Sequence, residues 1–80
     1  MTKGEIYDFL KNSIINDFEK NESLVALDKG LTDIGMDSLD AFDFFTMINE
    51  KFGIELDQRE IMELKTVGDV VEYIHSKSDS

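Results

Sequence analysis

The segment IGMDSLDAF, Ile34 to Phe42, sets one serine among aspartates at the start of a helical pattern. Ser38 follows Asp37 and precedes Leu39 and Asp40. Two chemistries suit these residues. Asp37 or Ser38 can cap a helix, its side-chain oxygen accepting a backbone N–H of the first turn. Alternatively, the Ser38 hydroxyl can carry a covalently attached group. An aspartate directly before the serine duplicates a capping ability that one residue would supply. Leu39 falls out of phase with Phe44, Ile48 and Phe52, which places it partly at the surface beside Ser38. A helix N-terminus suits a phosphodiester through its free N–H groups and its dipole. The flanking carboxylates oppose a free anion, so the pattern fits a phosphate placed there covalently better than a general anion pocket.

The remaining chemistry is mostly carboxylate. From Asp28 to Glu63 the acids Asp33, Asp37, Asp40, Asp43, Glu50, Glu55, Asp57 and Glu60 are opposed only by Lys29, Lys51 and Arg59. A solvated acidic surface is the simplest reading. A calcium-binding loop starting at Asp28 fails, because Asp33 stands where glycine is needed and Leu39 where a bidentate glutamate is needed. No metal site is expected. The single histidine, His75, lies near the end of the last helical pattern, where a cation suits the dipole. No third residue or oxyanion hole makes a catalytic pair of Ser38 and His75. Tyr73 reads as a core-edge residue.

The chain that positions these groups has 80 residues, 41% of them hydrophobic, which predicts one small domain with a modest core. There is no cysteine, so disulfides, thiolate metal sites and a cysteine nucleophile are excluded. Eighteen acids against eight bases, a net charge of −10, argue against nucleic acid and for partners with basic patches. No apolar run reaches the roughly 20 residues of a membrane span. The N-terminus lacks the apolar core of a signal peptide. A cytoplasmic protein is expected.

Helical spacing dominates. A first helix is predicted over about Lys3 to Phe18, with Ile6, Leu10, Ile14 and Phe18 on one face, Phe9 beside it, and Thr2 and Glu5 as a capping box. Glu19 to Asp37 reads as a long loop pinned by Leu24, Val25, Leu27, Leu31 and Ile34. A second helix runs from Ser38 to Phe52 and stops at Gly53. A short element spans about Asp57 to Leu64, with Ile61 and Leu64 inward. The last helix, about Thr66 to Ser76, turns Val67, Val70, Val71 and Ile74 to one side, with residues 76–80 a flexible tail. The predicted fold is all-α: a small four-helix bundle of three longer helices and one short one, with a long first loop.

The segments DIGMDSLDAFDFFTMINEKFGIEL and LKTVGDVVEYI together resemble the acyl carrier proteins. The matching features are Gly-x-Asp-Ser-Leu at the start of the second helix, Phe-Gly-Ile at its end, and the Thr-Val-x-Asp-Val start of the last helix. The resemblance covers about Leu31 to Ile74. It implies that Ser38 carries a 4'-phosphopantetheine arm, donated from coenzyme A by a phosphopantetheinyl transferase. The arm's thiol would hold acyl groups as thioesters, so a chain without cysteine would do thiol chemistry as a free-standing, monomeric carrier and not as an enzyme. Asp37, Asp40, Asp43 and Glu50 would meet Arg and Lys on the transferase and on acyl-transfer and elongation enzymes. Leu39 and Phe42 would lie on the surface those partners read. By phase Phe42 shares a side with Leu39 and Thr46, the alternative being the edge of the core. Phe44, Phe45, Ile48, Leu56, Ile61, Leu64 and Val70 would shelter the acyl chain. Gly30, Asp57, Thr46 and Met62 depart from residues common in the family, which leaves the carrier role intact but counts against equating this chain with a housekeeping fatty-acid carrier, so that both fatty-acid and polyketide or other specialised lipid pathways stay open. An aminoacyl or peptidyl carrier is the alternative within the same chemistry. An unmodified acidic interaction module, with Ser38 only a cap, is the alternative from another class.

Overall fold

The computed structural model describes residues 1–78. Helix α1, Lys3–Asn16, starts where sequence patterning places it. Thr2 Oγ1 accepts the Glu5 N–H at 3.1 Å, and Glu5 Oε1 accepts the Thr2 N–H at 2.9 Å. Those bonds favour the carboxylate and hold Glu5 below its ordinary pKa, the Thr2 backbone N–H contributing most. Ile6, Leu10 and Ile14 are fully buried.

The helix ends two residues before Phe18. Glu19 takes a left-handed backbone, φ 56°, and Lys20 N–H closes the turn on the Ile14 carbonyl. Phe18 therefore packs from beyond the helix, with its ring 6.0 Å from that of Phe44 and edge-on to it.

The connection to the next long helix is more ordered than a loop. It holds a single 3-10 turn, Glu22–Leu24, capped by Asn21, and a four-residue helix α2, Leu31–Ile34. Asp33 nucleates α2 by accepting the Gly30 N–H at 3.0 Å. Val25 and Ile34 anchor the connection in the core and Leu31 is half-buried, but Leu24 and Leu27 are exposed. Val25 has extended backbone, where neighbouring side chains point opposite ways, so Leu24 faces out as Val25 faces in. At Leu27 it is the backbone that holds. Gly68 N–H donates to the Leu27 carbonyl at 2.8 Å, Val67 N–H to that of Lys29 at 2.9 Å, and Gly30 bridges Thr66.

Helix α3, Ser38–Phe52, closes on Gly53 at φ 65°, a conformation that costs glycine no Cβ clash. Helix α4, Gln58–Glu63, is capped by Asp57 and buries no residue completely; Ile61 and Leu64 lean against the core. Helix α5, Val67–Ser78, opens with Thr66 and Asp69 exchanging backbone N–H bonds. The expected tail at 76–80 is helical through Ser78, because Ser76 Oγ bonds back to the Tyr73 carbonyl at 2.8 Å and Lys77 lies over the Tyr73 ring. Residues 79 and 80 lie outside the described residues.

The architecture is therefore five α-helices among the described residues, with α1, α3 and α5 long. The core joins Ile6, Leu10 and Ile14 to Phe44 and Ile48 of α3 and to Val67, Val70, Val71 and Ile74 of α5. Met36 and Ile54, outside every periodic stretch, are buried as well. No described helix is long and apolar enough to cross a membrane.

Candidate functional site

Asp37 is the cap of α3: its Oδ1 accepts the Asp40 N–H at 2.8 Å. Ser38 is then the first helical residue, exposed, and its hydroxyl makes no hydrogen bond within the described protein. One carboxylate performs the capping that either residue could have performed, and the serine is released from structural work. The other free N–H groups of the first turn stand beside it.

The surface around Ser38 is apolar at two positions and acidic at several. Leu39 is 75% exposed and Phe42 71% exposed, so Phe42 belongs to the surface and not to the core edge. Asp43 and Glu50 are exposed on the same helix, and so is its cap residue Asp37. Asp40 is different. It is half-buried, and Lys20 Nζ lies 3.2 Å from its Oδ2.

Two clefts meet at Ser38. One runs between α3 and α4 past Phe42, Phe45 and Leu56. The other turns toward α2, with Met36, Leu31 and Leu64 along it. Ser38, Ala41, Phe45 and Ile61 belong to both. Of the seven residues expected to shelter an acyl chain, Phe45, Leu56, Ile61 and Leu64 line these clefts. Phe44, Ile48 and Val70 do not; they are at most 1% exposed. Phe44 and Ile48 lie fully inside the core cluster that also holds residues of α1 and α5, whereas Phe45 lines the cleft together with Gln58 and Ile61 of α4. Ala41, Thr46, Asn49 and Gln58 line the first cleft and were not foreseen, since their polarity or size marks them as surface in a sequence. A separate depression bordered by Glu55, Asp57, Glu60 and Lys77 does not include Ser38.

Among the described residues no group of acids or His75 assembles into a metal site. Tyr73 donates to the Glu55 carbonyl at 3.4 Å, and its hydroxyl is pushed up to about 12, by burial first and then by the Glu60 carboxylate. That makes it a poor proton donor or acceptor near neutrality.

An exposed serine hydroxyl, free of capping duty at a helix start and opening into clefts with apolar walls, fits a long covalent arm. The chain matches the model of the family described as "Phosphopantetheine attachment site" over residues 8–74. It is 34% identical to the acyl carrier protein of Lactobacillus acidophilus, over 95% of this chain and 96% of that one. It is 36% identical to that of Exiguobacterium sibiricum, over 96% and 99%. A crystal structure of the acyl carrier protein of Thermotoga maritima superposes with a TM-score of 0.84, covering 96% of this chain and 91% of that one at 17% identity, a likeness of fold. The chain belongs to the phosphopantetheine-attachment family, and within it to the acyl carrier proteins. It is a carrier and not an enzyme. Its prosthetic group, 4'-phosphopantetheine, supplies the thiol that holds acyl groups as thioesters, and the family works with acyl-transfer and biosynthetic enzymes.

Proposed function

We propose that Ser38 is the attachment point of the arm, and that this carrier delivers its acyl cargo to enzymes of a fatty-acid or related acyl-chain pathway through the exposed side of α3. The observation that carries the assignment is the exposed Ser38 hydroxyl, left without a bond by the Asp37 cap. Leu39 and Phe42 give a partner apolar contact, and Asp37, Asp43 and Glu50 give it charge. The transferase and acyl-transfer enzymes dock with basic patches, because a surface this acidic steers cations and repels other acidic proteins. The carrier acts as a monomer in the cytoplasm, where coenzyme A donates the arm. The apolar walls of Phe45, Leu56 and Ile61 give the hydrocarbon part of an acyl chain a surface to bury against. Incubation with coenzyme A and a broad-specificity transferase, followed by intact mass measurement, tests the assignment. The wild type gains one arm and Ser38→Ala gains none while keeping its helical circular dichroism. An alanine variant that still acquires the arm removes Ser38 from the role.

A further inference from the structure

The cleft between α3 and α4 is not uniformly apolar. Thr46, Asn49 and Gln58 line it together with the apolar walls. Ser38 and Phe42, then Phe42 with Phe45 and Thr46, and these with Asn49, are three or four positions apart, so the five share one side of α3. At 1.5 Å of rise per residue, Thr46 stands about 12 Å and Asn49 about 16 Å along the helix from Ser38.

Two of these polar side chains are held from within the protein. Thr46 Oγ1 donates to the Phe42 carbonyl at 2.9 Å, which uses its only proton and leaves it an acceptor. Asn49 Nδ2 donates to the Ile54 carbonyl. A carbonyl only accepts, so the amide nitrogen is fixed toward it and Oδ1 remains an acceptor. The Gln58 side chain makes no hydrogen bond within the described protein and offers both donors and an acceptor.

We infer that this cleft selects acyl chains bearing a hydroxyl or keto oxygen over saturated chains of the same length. The inference rests on the carrier reading above. A saturated chain that enters the cleft strips water from Thr46, Asn49 and Gln58 and returns no hydrogen bond, which is unfavourable. A chain hydroxyl donates to Thr46 Oγ1 or Asn49 Oδ1, and a keto oxygen accepts from the Gln58 amide. Attachment at Ser38, which opens into the same cleft, makes the encounter intramolecular and raises the effective concentration of the chain. The arm's own amides offer related chemistry, and the acyl-free form separates the two sources.

The full chain is prepared with the bare arm, with a saturated acyl group, and with the 3-hydroxy acyl group of the same length. Intact mass is read first. A chain that takes no arm overturns the carrier reading and this inference with it; loading without selectivity overturns the inference alone. Cleavage by hydroxylamine is then measured against the matching free pantetheine thioester. The hydroxyacyl form should be protected about threefold to tenfold more than the saturated form, the worth of one hydrogen bond. Its Asn49 and Gln58 side-chain amide resonances should move relative to the bare-arm form. Gln58→Leu, Thr46→Val and Asn49→Leu should each weaken the preference; Thr46→Val gives up the bond to the Phe42 carbonyl and Asn49→Leu the bond to Ile54, whereas Gln58→Leu breaks no side-chain bond within the described protein and so tests the idea without disturbing α3. Equal protection, greater protection of the saturated chain, or amide shifts already complete with the bare arm would each overturn it.

Discussion

Lys20 Nζ lies 3.2 Å from Asp40 Oδ2, so a residue just past the end of α1 neutralises an acid two positions from Ser38. Both side chains are largely covered, at 23% and 31% exposure, while Asp43 and Glu50 have no ion pair within the described protein. A basic partner must therefore compete with Lys20 for Asp40, but meets Asp43 unopposed. Lys20→Met should raise the association rate with a phosphopantetheinyl transferase about two- to threefold at low salt, with the gain shrinking as salt screens the field. Asp43→Lys should slow association more than Asp40→Lys. Stopped-flow kinetics across a salt series measures both, and slower association of Lys20→Met would remove the internal competition.

Capping and modification should separate cleanly by mutation. Asp37→Ala removes the acceptor for the Asp40 N–H and should cost about 1 kcal/mol in denaturant unfolding. Ser38→Ala removes no hydrogen bond and should leave the urea midpoint nearly unchanged. Equal destabilisation by the two would mean that the serine shares the cap.

The two phenylalanines on either side of Asp43 should fail in opposite ways. Phe44 is fully buried with its ring near those of Phe18 and Phe45, so Phe44→Ala should destabilise by about 3–5 kcal/mol through lost burial and a cavity. Phe42→Ala should leave the melting temperature within a degree or two, because little of its surface is removed from water. It should instead slow acyl loading by a cognate enzyme. Thermal melts and loading assays on the same preparations decide the matter, and comparable melting losses would place Phe42 in the core.

Gly68 sits where the first connection meets α5. A Cβ there would stand 2.9 Å from the Leu27 carbonyl oxygen, the same atom that accepts the Gly68 N–H. Gly68→Ala must push the two backbones apart and should cost about 1–3 kcal/mol, read as a lower urea midpoint at unchanged slope. An unchanged midpoint would show that the connection yields freely.

Stability should fall at high pH through Tyr73. Its hydroxyl is raised to about 12 in the folded chain, by burial first and then by Glu60, against about 10 in an unfolded one. Between those values the unfolded state binds fewer protons, so stability falls as pH rises. The stabilising contribution is complete below pH 10 and lost through about 12. Tyr73→Phe should flatten that decline relative to wild type, and parallel curves would assign the alkaline loss to other groups.

The helices α1, α3 and α5 were legible in the chain because each repeats apolar residues at helical spacing between recognisable caps, a property of neighbours along the backbone. The setting of Ser38 at an exposed helix start was legible for the same reason: it is a local motif, and the exposure of Leu39 and Phe42 follows from their phase on one helix. The connection was harder. Helix α2 has four residues, too few for any period to show, and its starting bond from Gly30 to Asp33 reads in sequence as ordinary loop chemistry. Three features were decided only in three dimensions. The Lys20–Asp40 pair joins residues twenty positions apart. The choice of Phe45 over Phe44 as a cleft wall depends on where α4 crosses α3. The polar lining by Asn49 and Gln58 needs both helices in place before either side chain has a cleft to line. Local spacing sets which face of a helix is apolar. Which neighbour that face meets, and what gap remains between them, is settled by packing among segments distant in the chain.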